Sequence, residues 1–141
     1  MSRSTDIDFV FAVALDARDV FDRLSNGGIH FNIEGKLCFV IDEEELFDWE
    51  STDWALRNTV IDQAVSRGPQ EVRFGFTGML DSRHGGDFLL HLGWRRLSFM
   101  AEINRKTLHT ASAIGDIGWY LEKLVPALAP LGIQSIEARD T

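Results

Sequence analysis

The chain has 141 residues, 22 acidic and 14 basic side chains, a net charge of −8, 45% apolar residues and one cysteine. That length suits a single domain, 1–141, whose core needs no staples, and Cys38 alone excludes an intrachain disulfide and fits a reducing compartment. The acidic balance disfavours nucleic acid and membranes as partners, no apolar run approaches the roughly 20 residues that span a bilayer, and Asp6 and Asp8 stand where a secretion signal would be positive, so a soluble cytoplasmic protein is expected.

"DIDFVFAVAL" predicts a first strand, rich in Phe and Val. "DARDVFDRLSNGG" predicts a helix capped by Asp16. Its Ala17, Val20, Phe21 and Leu24 make one apolar stripe, and Asn26-Gly27-Gly28 ends it. "IHFNIEGKLCFVI" predicts a hairpin: Ile29, Phe31 and Ile33 alternate with polar residues, Glu34-Gly35 turns, and Leu37, Phe39 and Ile41 return. Beyond it, Ser51, Thr52 or Asp53 would cap a second helix running to about Arg67, with Trp54, Ile61, Ala64 and Val65 inward and Gly68-Pro69 as its stop.

"QEVRFGFTGML", "DFLLHLGW" and the run Leu97 to Ile103 predict three meandering antiparallel strands. The loop "DSRHGG" joins the first two, and a turn or bulge at 93–96 joins the others. "TASAIGDIGWYLEKLVPALAPLG" is a helix by its spacing of Ile114, Ile117, Leu121, Leu124, Val125 and Leu128, with Pro126 kinking or ending it. "IQSIEA" supplies a last strand. The expected fold is α+β: a mostly antiparallel sheet with about three helices mainly on one face, in the order β-α-β-β-α-β-β-β-α-β.

Charge is uneven along this order. Residues 1–65 hold 14 acids and 5 bases, a net of −9, and residues 66–141 hold 8 acids and 9 bases, a net of +1. The imbalance peaks in "IDEEELFDWESTDW", Ile41 to Trp54, where no Lys or Arg occurs between Lys36 and Arg57. A helix N-terminus accounts for Asp53 and Glu50. It does not account for the mutually repelling run from Asp42 to Glu45. Clustered charge steers association and aromatic side chains anchor interfaces. The expected partner-binding residues are therefore Asp42, Glu43, Glu44, Glu45, Phe47, Asp48, Trp49, Glu50 and Asp53, with Trp49 the exposed contact and a basic protein as the complement. A calcium loop would need the glycine and the alternating acids of an EF-hand, which are absent.

No set of residues spells out catalysis. Ser82, His84 and Asp81 or Asp87 crowd one short loop, where a base cannot easily sit between nucleophile and orienting acid. His84, Asp87 and His91 match no common zinc spacing, so neither metal nor cofactor is expected. His30, His91 and His109 fall one per element, and Cys38 reads as a small buried hydrophobe. Arg95-Arg96 and Arg105-Lys106 are too few for a nucleic-acid footprint.

A small acidic α+β domain with such a stretch, "IDEEELFDWESTDW", resembles the immunity proteins of bacterial polymorphic-toxin and contact-dependent inhibition systems. The resemblance implies a cytoplasmic, non-catalytic protein that binds one cognate toxin. Many such toxins are basic nucleases, so it also implies that Asp42, Glu43, Glu44, Glu45 and Asp48 meet toxin Lys and Arg, with Trp49 as apolar anchor. The competing expectation is an enzyme or small-ligand binder with a pocket between sheet and helices near Trp94 and His91. A third is a subunit that assembles through a free sheet edge.

Overall fold

The computed structural model describes residues 3–141. One seven-stranded sheet, antiparallel throughout, carries three α-helices. In chain order the elements are β1 (Thr5–Phe11), α1 (Ala17–Asn26), β2 (Lys36–Asp42), β3 (Glu50–Asp53), α2 (Arg57–Arg67), β4 (Arg73–Met79), β5 (Gly85–Leu90), β6 (Arg96–Ile103), α3 (Ile117–Leu128) and β7 (Ile133–Asp140). Across the sheet the strands run β3-β2-β4-β5-β6-β1-β7. The expected order of strands and helices is met, although two expected elements are made from other residues.

Ile29 to Ile33 is not a strand. His30 and Ile33 make only isolated bridges, to Met79 and Lys36. The alternation arises because Ile29 and Phe31 drop into the core, at 3% and 1% exposure, where Phe31 stacks on Phe21. The turn itself forms, with Glu34 and Gly35 both left-handed at φ 52° and 82°. The strand that pairs with β2 is instead β3, in register Lys36↔Asp53 to Phe39↔Glu50. Ser51, Thr52 and Asp53 are thus strand residues and cap nothing. Asp53 precedes a 3₁₀ turn over Trp54–Leu56 and makes no side-chain cap.

α1 matches its stripe: Ala17, Val20, Phe21 and Leu24 are buried, and the Asp16 carboxylate accepts from the Arg18 amide at 2.9 Å. In α2 the inner residues are Val60, Ile61 and Ala64, whereas Val65 turns outward. β1 ends at Phe11, short of the expected Leu15. β5 starts with the glycines of "DSRHGG" and ends at Leu90, so Trp94 lies in the β5–β6 turn with φ 48°. α3 begins after Gly115, with the Asp116 carboxylate accepting from the Trp119 amide, and leaves Ile114 exposed.

The helices cover the face that presents Ile7, Phe9, Phe11, Leu37, Phe74, Phe76, Phe88, Leu90, Leu97 and Phe99. α1 lies between α2 and α3 and touches both. Six Phe rings join from helix to sheet: Phe21, Phe31, Phe76, Phe88, Phe74 and Phe99 make stacked, edge-on and tilted pairs at 4.6–5.8 Å. The second face carries the alternate residues and, among the described residues, no helix. Its rows follow from the register: Asp42, Arg73, His91, Arg96 and Val10 in one, and Val40, Gly75, Leu89, Ser98, Asp8 and Glu137 in the next.

Candidate functional site

Residues 43–49 form the connection from β2 to β3 at one edge of the sheet. The loop is built around Asp42. That residue is 5% exposed, and its two carboxylate oxygens accept from the backbone amides of Glu45 at 3.0 Å and Phe47 at 2.9 Å. Arg73, its neighbour across the β2–β4 ladder, pairs with it at 3.5 Å. Glu45 and Phe47 both have positive φ, 60° and 50°. For residues with a Cβ this costs of order 1–2 kcal/mol each. The carboxylate holds both amides in that conformation and so sets the shape of the loop.

Asp42 is therefore not the exposed contact expected of it. It lies inside the loop and braces it, because a strand-end residue that points to the second face meets Arg73 there. Trp49 is also not the exposed anchor. It is half-buried, with its ring edge over Gly75 on the second face, where a Cβ on Gly75 would come within 2.9 Å of it. The apolar residues that the loop shows to solvent are Leu46, 67% exposed, and Phe47, 38% exposed with Arg73 over its ring at 5.9 Å. Leu46 drew no notice in the sequence, since a lone Leu among acids carries no periodic signal.

The carboxylates divide into two groups. Glu43 pairs with Arg67, Glu45 with Arg73 at 2.9 Å, and Asp53 with Lys36 at 2.6 Å, which holds the Asp53 carboxyl below its ordinary value. The bases missing from the stretch are thus supplied by α2 and β4. Glu44, Asp48 and Glu50 are exposed and have no basic partner among the described residues. A groove of about 660 Å³ adjoins them between α2 and the β2–β3 edge, lined by Phe39, Ile41, Glu50, Asp62, Gln63 and Arg67. The site is an acidic rim with one projecting leucine and an apolar-floored groove beside it.

The structure does not bring the loop candidates for catalysis or metal together. Asp81 accepts from the backbone amides of Arg83 and His84, a local turn that lowers its pKa against the opposing effect of burial. The His84 ring meets the Asn104 carbonyl at 2.6 Å and the edge of Trp119. Asp87 is on the second face, where burial raises its pKa and the Thr77 hydroxyl donates to it at 2.7 Å. The pocket expected near Trp94 and His91 is not formed: Trp94 fills the core with its indole N–H on the Val72 carbonyl, and His91 faces the opposite side of the sheet. Cys38 is half-buried on that second face rather than in the core.

One polar cluster is invisible in the sequence because its members lie in three strands and the β5–β6 turn. The Asp8 carboxylate, 5% exposed, accepts from Arg96 and Arg139 at 2.9 Å each and from the Ser98 hydroxyl, and His91 Nε2 lies 2.6 Å from Ser98 Oγ. Burial pushes the Asp8 carboxyl up, but the hydrogen bonds from Ser98 and Arg139 and the charge of Arg96 outweigh it, and the group stays below its ordinary pKa. Burial, helped by Arg96, lowers His91. An ionised Asp8 takes the single hydroxyl proton of Ser98, so His91 Nε2 must donate to that hydroxyl. The acid thus touches the serine, not the histidine, the reverse of the order that makes a serine nucleophilic. The cluster ties β1, β6 and β7 together.

No protein-family model, curated protein or solved structure matches the chain.

Proposed function

We propose that the chain is a non-catalytic protein-binding module that acts in the cytoplasm as an immunity protein, neutralising a cognate toxin by setting its acidic edge on the toxin's basic surface. The observation that carries the reading is the bracing of the 43–49 loop by Asp42. Two left-handed residues are held in place by one buried carboxylate, and the result is Leu46 projecting between the uncompensated Glu44 and Asp48. Backbone strain held by surrounding structure gathers where a surface must be preorganised. An apolar tip ringed by carboxylates suits a basic partner with a small apolar pocket. Glu43 and Glu45 can exchange Arg67 and Arg73 for partner bases, since exposed ion pairs contribute only about 0–1 kcal/mol.

The test is capture from the native host at low and high salt, beside a variant with Glu44→Gln, Asp48→Asn, Glu50→Gln and Leu46→Ala. One basic protein, held by the wild type and released by salt or by the variant, is the expected result. Capture indifferent to both would move the interface elsewhere. A ligand-binding reading is favoured by the groove beside α2, and it requires a small molecule that protects Thr59, Gln63 and Ser66 in NMR shift mapping.

A further inference from the structure

The two ends of the sheet carry unpaired charge of opposite sign. The acidic 43–49 loop leaves β2 beside Arg73, where β4 begins. The turn at 81–84 follows the other end of β4 and is tied to Asn104, just past the end of β6. The seven residues of β4 set these ends about 20 Å apart.

At the second end, Arg83, Lys106 and Lys123 form no ion pair among the described residues. Both lysines hold their ammonium groups 5.5 Å from the centre of the half-buried Trp119 ring, and the His84 ring stands edge-on to it. The charge of Asp81 reaches Lys123 without pairing with it. Asp81 and Asp116 use their carboxylates on backbone amides instead, Asp81 on those of Arg83 and His84, and Asp116 on that of Trp119.

This corner is as firmly built as the acidic loop. Asp81 gathers two amides there as Asp42 gathers those of Glu45 and Phe47. Asn104 is left-handed, at φ 47°, and is held from both sides: its carbonyl meets the His84 ring at 2.6 Å and its side-chain amide donates to the Arg83 carbonyl at 3.2 Å. The Lys106 amide donates to the buried Tyr120 hydroxyl at 2.8 Å. Bases and indole are thus presented on a fixed backbone, which lowers the ordering cost of binding.

We propose that this corner receives the 43–49 loop of a second copy of the chain, so that copies join head to tail. The loop offers what the corner lacks. Its uncompensated acids, Glu44, Asp48 and Glu50, face the three unpaired bases, and the projecting Leu46 lies on the Trp119 indole. The net charge of −8 makes copies repel at a distance, but at physiological salt that repulsion is screened beyond about 8 Å, and the surfaces that meet are opposite in sign. Because they lie at opposite ends, a loop cannot reach its own corner, and two copies cannot satisfy both surfaces of each other. The contact is therefore heterologous, and the assembly grows as a chain. None of this rests on the toxin-binding reading, although a basic partner on the loop would cap the chain.

Two small patches make a weak, reversible contact, so association should be read between roughly 10 and 500 µM. Sedimentation equilibrium at physiological salt tests it on three proteins: wild type, a corner variant with Arg83→Gln, Lys106→Gln and Lys123→Gln, and a loop variant with Glu44→Gln, Asp48→Asn and Leu46→Ser. The wild-type mass should climb past two copies as concentration rises. Each variant alone should stay monomeric with unchanged circular dichroism. Mixed, they should form a one-to-one pair and stop there, since the corner variant keeps its loop and the loop variant keeps its corner. In that mixture, the Trp119 indole signal of the nitrogen-15-labelled loop variant should shift. A wild type that is monomeric at 500 µM or levels off at two copies, association that survives in either variant alone, or a mixture that stays monomeric overturns the proposal.

Discussion

Asp42 and Arg73 face each other across the β2–β4 ladder, 3.5 Å apart, with side chains only 4% and 14% exposed. The pair joins the sheet to the loop, since Asp42 also receives the Glu45 and Phe47 amides and Arg73 also reaches Glu45. Removing Asp42 strands two backbone donors and a half-buried guanidinium. Asp42→Ala should therefore cost about 1–3 kcal/mol in urea unfolding, and the Glu45 and Phe47 amides should lose hydrogen-exchange protection. Glu44→Gln and Asp48→Asn, a few residues away, should stay within about 0.5 kcal/mol of wild type. Equal effects at all three sites would mean that Asp42 does not brace the loop.

Gly75 gives the loop its second fixed point. A Cβ there would meet the Phe88 carbonyl and Trp49 at 2.9 Å each. The ring can move, but the neighbouring strand cannot. Gly75→Ala should destabilise by about 1–3 kcal/mol, and the Trp49 indole resonance should shift in a proton–nitrogen correlation spectrum. An unmoved Trp49 signal would show that the ring does not rest on this glycine.

Leu46 and the uncompensated acids should act on binding and leave folding alone. Once the partner is in hand, Leu46→Ala should weaken it about 10- to 100-fold, as an interface anchor does, with the unfolding midpoint unchanged. Glu44→Gln with Asp48→Asn should slow association and flatten its salt dependence. Calorimetry and stopped-flow mixing measure the two effects.

The titrating groups predict opposite pH effects. Asp140 is held at about 2 by Arg3, with Thr5 adding to this, against an ordinary value of 3.8. Asp8 is lowered as well. A carboxylate lowered in the folded state contributes stability that is full above pH 4 and lost as the pH falls through its folded value. His91, lowered from 6.5 by burial, acts in the same sense, since acid must charge a group that the fold keeps neutral. Asp87 is raised by burial and acts in the other sense, its cost being greatest at neutral pH. Asp87→Asn should thus stabilise the protein at pH 7, with a gain that shrinks towards pH 3. Asp140→Asn should flatten the acid limb of the stability curve. Chemical denaturation at a series of pH values would decide, and a gain for Asp87→Asn that is independent of pH would contradict the assignment.

The sheet was legible where side chains alternate between a core and a second face, as in Val72, Phe74 and Phe76. It misled where burial and strand pairing part company. Ile29 and Phe31 are buried from an irregular segment, so their alternation imitates a strand. Glu50 to Asp53 is a strand at a solvated edge, so nothing apolar marks it. The charge of the acidic stretch was legible, but its counter-ions were not, because Arg67 and Arg73 reach it only through the packing of α2 and β4. For the same reason Asp42 reads like its three acidic neighbours and yet points the other way. The Asp8, Ser98 and His91 cluster is assembled by strand register alone, which no local pattern encodes.

The position of β1 bears on how the chain comes to be folded at all. Its partners are β6, which begins at Arg96, and β7, which ends at Asp140, so Ile7, Phe9 and Phe11 have no strand beside them until most of the chain has been made. Contacts of such long sequence separation form slowly, because the intervening loop must close first. During synthesis the nascent chain therefore carries an apolar β-forming segment with both flanks bare. A segment in that state is what holdase chaperones bind, and the yield of folded protein should depend on their supply more than its equilibrium stability would suggest.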